Sequence, residues 1–296
     1  MTTIQAFGEQ VTNIQNTDYK DSKFETDGTF LTTGLYRQGN IEQAQREILA
    51  LLSAANGESI KGIPNRIGDF LEISEHLITK ILSSKPQMRK PLIQALRKLP
   101  GVQSLATNPS LIEVLKWTGL NLPIIRLQSL QVFLPWEEVF HEREHQDFGG
   151  LLSHTGWTIQ VALQPVIKET TGAAEIFPTT YRHGPLEHRI RREPNGYSYE
   201  VVDDKYYRDI EPINFDMNIG DATLFNCFSI HRSYPTQNRI RWSMVIRIDE
   251  GVGSNLIEHG SESVPDGALR CYDYSIWSNQ LEKFFKEYSV PPKYRI

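Results

Sequence analysis

The chain has 296 residues, with 31 Lys and Arg against 36 Asp and Glu and a formal charge of −5, a balance that gives no global reason to bind nucleic acid or an anionic membrane. Its 39% hydrophobic content is adequate for a buried core, and no apolar run approaches the ~18 residues of a membrane helix. Two cysteines, Cys227 and Cys271, stand outside any CxxC pair and give no sign of a disulfide framework; with no basic-then-apolar leader in the first residues, the cytoplasm is the expected compartment.

The first 120 residues are biased toward helix. Gly28 to Tyr36 reads as a strand that packs early against the core. From Ile41 to Leu52, Ala44, Ile48, Leu51 and Leu52 recur at helical spacing, with Asn40 as the expected cap. A second helix is predicted from Arg66 to Leu82, where Phe70, Leu71, Ile73, Leu77, Ile78 and Ile81 form one broad stripe. Met88 to Leu99 and Ser110 to Trp117 read as shorter helices bounded by Pro86, Pro91, Pro100 and Gly101.

The period then changes. Leu122 to Leu134, Trp157 to Ile167, Ala173 to Phe177, Ile213 to Met217, Asp221 to Phe225 and Ile240 to Ile248 are short, β-branched or aromatic, and bounded by turn residues. Gly220-Asp221 is a tight turn leading into a strand that stops before His231. Many short strands at close spacing predict a jelly roll. Tyr272 to Tyr288 reads as a closing helix with Ile276, Trp277, Leu281, Phe284 and Phe285 buried. The expected organisation is a single domain over 1–296, mainly β with flanking helices: a helix-rich part to 120, a β-core over 121–250, and a C-terminal extension over 251–296.

Chemistry concentrates in that core. His145-Gln146-Asp147 places an imidazole and a carboxylate two residues apart, which on an extended strand puts both on one side. His231 follows on a later strand, and Arg241 after a turn on the strand expected beside it. Two imidazoles and a carboxylate are the facial ligand set of a non-haem iron(II) site that keeps its opposite face open. A guanidinium fork matches a carboxylate bidentately, so Arg241 suits the far end of 2-oxoglutarate. Arg239 is the rival; alternation favours Arg241, which shares a strand face with Ser243 while Trp242, Met244 and Ile246 point the other way.

The segments HQDFGG (145–150), TGAAEIFPTTYRHG (171–184), NIGDATLFNCFSIHRS (218–233) and PTQNRIRWSMVIR (235–247) together resemble the phytanoyl-CoA dioxygenase-like family of iron(II)- and 2-oxoglutarate-dependent oxygenases. The resemblance spans about Leu122 to Ile248. It implies a double-stranded β-helix core, Fe(II), 2-oxoglutarate and O2 as cofactor and co-substrates, and His145, Asp147 and His231 as metal ligands. It also implies Arg241 and Ser233 on the distal carboxylate of 2-oxoglutarate. Gln160 stands where relatives often have an aromatic residue and is carried over as a co-substrate contact. Pro178-Thr179-Thr180-Tyr181 replaces the P-G-S-H common in relatives, so substrate identity is not inherited. Related halogenases replace the carboxylate by a small residue; Asp147 therefore favours hydroxylation.

The expected reaction is hydroxylation of a small molecule with release of succinate and CO2. Desaturation, cyclisation or epoxidation with the same cofactors, or a non-catalytic metal and oxoglutarate sensor, are the alternatives. His141 and His154 flank the motif without ligand spacing and read as solvent or supporting residues. Arg182, His183, His188, Arg189, Arg191 and Arg192 form a basic stretch that is either a solvated loop or a lid attracting an anionic substrate, with Glu137, Glu138, Glu142 and Glu144 as its acidic counterpart. Cys227 reads as a buried small hydrophobe. The expected assembly is a monomer or homodimer.

Overall fold

Helices come first because the apolar residues come first at helical spacing. In the computed structural model, which describes residues 24–59, 69–136, 143–148, 155–192, 198–236 and 238–251, a short helix α1 (Phe24–Asp27) leads into strand β1 (Thr29–Thr32). Helix α2 (Gln38–Ala55) buries Ile41, Ala44, Ile48 and Leu52, and α3 (Phe70–Ser84) buries Phe70, Leu77, Ile78 and Ile81, the three-and-four spacing of single helix faces. Three short helices follow: α4 (Arg89–Leu96), α5 (Pro100–Ser104) and α6 (Pro109–Trp117).

Two helix signals act differently from expectation. Asn40 is not the cap of α2; the helix starts three residues before the expected Ile41, at Gln38 after Arg37, and makes no side-chain cap bond. Asn40 Oδ1 instead accepts from Asn108 Nδ2 at 3.3 Å. Pro100 and Gly101 do not end a helix but open α5, where Pro lacks only an N–H that a first turn leaves unpaired. The Gly101 N–H donates to Glu47 Oε2 at 2.6 Å, tying α5 to α2.

The main sheet is antiparallel with strand order β1-β7-β3-β9-β2. Its members are β2 (Pro123–Phe133), β3 (Gly156–Ala162), β7 (Ala222–Asn226) and β9 (Arg241–Glu250) beside β1. Between β3 and β7 the chain forms the helical turn α7 (Lys168–Thr171), the short strand β4 (Ala174–Ile176) and a hairpin of β5 (Arg189–Arg192) with β6 (Ser198–Val201). The Gly220-Asp221 turn opens β7 as expected: Gly220 has φ +86°, and a Cβ there would come within 2.6 Å of the Tyr36 carbonyl oxygen.

Strand alternation divides the sheet into two faces. Trp157, Ile159 and Val161 of β3, Leu224 of β7, Leu130 and Val132 of β2, and Trp242, Met244, Ile246 and Ile248 of β9 join the helix residues in one apolar core. Thr158 and Gln160, Thr223 and Phe225, and Arg241, Ser243, Val245 and Arg247 occupy the opposite face, also buried. A second group of extended segments lies against that polar face. Strand β8 (His231–Ser233) pairs with β4, and single bridges join His145 to His231 and Ile176 to Ile213.

Four strand expectations are corrected. β3 ends at Ala162 rather than Ile167. Ile213 to Met217 makes isolated bridges at Ile213 and Met217 instead of a strand. β8 belongs with β4 and β9 with the large sheet, so Arg241 is not on the strand next to His231. Arg189–Arg192 is an exposed strand rather than a loop. The predicted helix from Tyr272 to Tyr288 lies outside the described residues, as do His141 and His154.

Candidate metal centre

His145 and His231 face each other across an antiparallel bridge in which each backbone N–H donates to the other's carbonyl oxygen at 3.0 Å. That pairing sets the two imidazoles side by side, with ring centroids 4.3 Å apart. Asp147, two residues on, points to the same side, and its N–H donates to the Cys227 carbonyl at 3.0 Å. The ligand atoms of His145, Asp147 and His231 all lie within 4.8 Å of one another, and all three residues are buried.

The proton positions follow from the partners. His145 Nδ1 lies 2.6 Å from the Arg143 carbonyl oxygen and His231 Nδ1 lies 3.1 Å from that of Ser229. A carbonyl can only accept, so each Nδ1 carries a hydrogen and each Nε2 is the ring atom turned toward the shared site. Both Nε2 atoms sit 3.5 Å from the Asp147 carboxylate. Burial lowers the His231 pKa to about 3, which keeps that imidazole neutral. Burial also acts to raise the Asp147 carboxyl, but the Arg247 guanidinium and the two imidazoles outweigh it and hold the group well below the usual carboxylate range. Two imidazole nitrogens and one ionised carboxylate therefore converge, the donor set that a divalent transition metal takes.

The carboxylate is held on both oxygens. Thr158 donates its hydroxyl to Asp147 Oδ2 at 2.8 Å, and Arg247 donates from its guanidinium to Oδ1. Arg126 donates to the Asp147 carbonyl at 2.9 Å while pairing with buried Asp249 at 3.0 Å. A β-bulge between Ile125 and Leu127 turns Arg126 inward. Gln146, between the ligands, is a brace: its amide donates to the Gly184 and Phe228 carbonyls and accepts from the Leu186 N–H. Its own N–H donates to His188 Nε2 at 3.0 Å. Burial lowers the His188 pKa to about 4.

Beside the ligands, Gln131, Gln160, Ser233 and Arg247 line a cavity of about 30 Å³. That volume suits a water or two rather than a five-carbon diacid, so the cavity must widen to admit one. Gln160 donates to Ser243 Oγ at 3.2 Å, and its buried Oε1 has no hydrogen-bond partner. Arg241 does not line this cavity. Its guanidinium lies 4.1 Å from the Phe133 ring centroid, and Nη1 donates to the Tyr234 carbonyl at 3.2 Å. Gly172 makes this possible: it has φ +68°, and a Cβ there would meet the Tyr234 carbonyl oxygen at 2.4 Å and Arg241 Nη1 at 2.8 Å. Arg239, the rival, is committed to α3 through Glu72 at 3.0 Å and Glu75 at 2.9 Å.

His145, Asp147, His231, Ser233 and Gln160 are thus brought together, and Arg241 stands on the same sheet face beyond them. Sequence reasoning missed Arg247, Thr158, Arg126 and Gln146. The even spacing of Arg241, Ser243 and Arg247 along β9, and of Thr158 with Gln160 along β3, was an available signal for two of them. Arg126 depends on the bulge and had none. Of the basic stretch, Arg189, Arg191 and Arg192 are exposed, whereas His188 is folded against the segment that carries His145 and Asp147. Glu144 pairs with Arg232 at 2.8 Å. Cys227 is fully buried, and burial pushes its thiol up, as expected of an inert core cysteine.

No protein-family model matches the sequence, and no curated protein matches it. Among solved structures the chain is similar to EvdMO1, at 15% identity over 78% of this chain and 49% of that one, with a TM-score of 0.50. It thus spans about half of EvdMO1. It is also similar to the non-heme alpha ketoglutarate dependent epimerase SnoN from nogalamycin biosynthesis, at 15% identity over 85% and 94% with a TM-score of 0.49. A third is EctD from S. alaskensis with bound Fe, at 16% identity over 82% and 79% with a TM-score of 0.49. At 15% identity the likeness to EvdMO1 is one of fold. Among the described residues, no helix is long and apolar enough to cross a membrane.

Proposed function

We propose that this chain is an iron(II)/2-oxoglutarate-dependent dioxygenase, built as one double-stranded β-helix domain, that hydroxylates an unactivated C–H bond of a small molecule. The observation that carries the reading is the convergence of His145, Asp147 and His231 with both imidazoles locked in the metal-binding tautomer. When bound, iron and 2-oxoglutarate supply the oxidising power, with succinate and CO2 as co-products.

The chain's own residues do the rest. His145, Asp147 and His231 hold the metal on one side. Arg241 and Ser233 are assigned to the far carboxylate of 2-oxoglutarate, and Gln160, with an amide oxygen lacking a donor, to a polar group of the incoming ligand. Thr158 and Gln146 fix the ligand-bearing segment. Asp147 fills the position that a halide would need, which favours hydroxylation. The exposed arginines of β5 favour an anionic substrate.

The test is succinate formation from 2-oxoglutarate in air with added Fe(II), which proceeds slowly even without substrate. The wild-type protein should form succinate and Asp147→Ala should not. Equal succinate from both would remove the assignment.

A further inference from the structure

A groove of about 630 Å³ lies between α3 and the strand ends that hold Arg241. One wall is the outward face of α3, where Glu72, Glu75, His76 and Thr79 recur three and four residues apart. The other wall is Pro135 and Trp136, just past Phe133, with Asn238, Arg239 and Ile240, just before Arg241. The groove shares no lining residue with the cavity beside His145, Asp147 and His231. Its volume falls within the span of small-molecule sites.

Two features define the ligand. Trp136 is 53% exposed, and its ring has no aromatic or cationic partner among the described residues. An indole so placed offers a flat apolar surface whose negative π face attracts weakly positive C–H groups. Around it, Glu72, Glu75, Lys80 and Arg239 all have opposite partners already. Arg239 donates to Glu75 at 2.9 Å and to Glu72 at 3.0 Å, and Lys80 donates to Glu58 at 3.0 Å. An ionic ligand would have to break one of these pairs to form its own. A hydroxyl would not, because it donates to a carboxylate oxygen or accepts from a cation that keeps its partner. Glu75 is the most committed of the four, since it also accepts from the Ile240 N–H at 2.6 Å and so fixes this edge of the groove to the start of β9.

We infer that this groove binds a neutral sugar ring, its C–H face on the Trp136 indole and its hydroxyls on Glu72, Lys80 and Arg239. An apolar face with a polar edge is what a pyranose presents and what an ion or an aliphatic chain lacks. Binding here requires neither a metal nor 2-oxoglutarate.

The experiment is saturation-transfer NMR on the full chain without added metal. The probes are the methyl glycosides of glucose, galactose and mannose, beside sorbitol, benzylammonium and benzoate. At least one glycoside should receive saturation at its ring protons, and sorbitol, which has no ring face, should receive none. Trp136→Ala should weaken the glycoside about tenfold, the upper worth of an aromatic contact, whereas Trp136→Tyr should stay within about threefold of wild type. Trp136 is exposed, so neither change threatens the fold. The inference is overturned by no transfer to any of the three glycosides, by undiminished binding in Trp136→Ala, or by sorbitol binding as well as the glycosides. Stronger binding of benzylammonium or benzoate than of every glycoside also overturns it and makes the groove a cation or an anion site. None of these outcomes bears on the metal reading, because no metal takes part.

Discussion

The two faces of β3 and β9, inner strands of the five-stranded sheet, are both buried, yet they follow opposite rules. Along β9, Trp242, Met244, Ile246 and Ile248 meet the helices, while Arg241, Ser243, Arg247 and Asp249 meet the small sheet and the segment that carries His145 and Asp147. The apolar face needs only shape and volume, and its neighbours are interchangeable hydrophobes. The polar face needs a partner for every donor and acceptor, because a buried polar group without one costs ~1–3 kcal/mol. Period-two alternation therefore separates stability from chemistry within a single strand.

That division can be broken deliberately. Trp242→Ala should have the largest effect on folding, about 3–5 kcal/mol by analogy with other large-to-small core changes. Denaturant unfolding should show this loss while Mn(II) affinity of the folded fraction stays near wild type; a comparable loss of metal affinity would mean the faces are not separable. Arg241→Ala should act the other way, raising the 2-oxoglutarate requirement by roughly ten- to hundredfold, the worth of a charged hydrogen-bonded contact, with metal binding alone preserved. Thr158→Val conserves shape and removes one donor from Asp147, so metal affinity should fall about tenfold, the lower end of effects from such supporting residues. Arg239→Ala should change least: its ion pairs with Glu72 and Glu75 are part-exposed, so stability should drop by at most ~1 kcal/mol and the 2-oxoglutarate requirement should not move. Reversal of the Arg241 and Arg239 results would move the co-substrate role from Arg241 to Arg239.

The same contrast explains what could be read from the sequence. Helix faces and the hydrophobic strand face were legible because burial is periodic and any apolar residue signals it. The convergence of His145, Asp147 and His231 was legible because His145 and Asp147 are local and His231 follows a recognisable Gly220-Asp221 turn. Arg247 was not, although its spacing from Arg241 was visible, since nothing in the sequence says which arginine of β9 lies opposite Asp147. Arg126 reaches the site only through a register shift in β2. The placement of β8 and β9 in different sheets was hidden for a similar reason: the turn between them has ordinary hairpin composition, and long-range pairing decides its path. Asn40 failed as a cap because α2 has three more residues at its start, where Gln38 bonds with Glu42 at 2.7 Å.

The measurement that tests the central claim most directly is an anaerobic titration of the metal-free protein with Fe(II) and then 2-oxoglutarate, watched in the visible region. A metal-to-ligand charge-transfer band should appear only when both are present and should be absent in His231→Ala. No band in the wild type, or an undiminished band in His231→Ala, would contradict a metal centre at His145, Asp147 and His231.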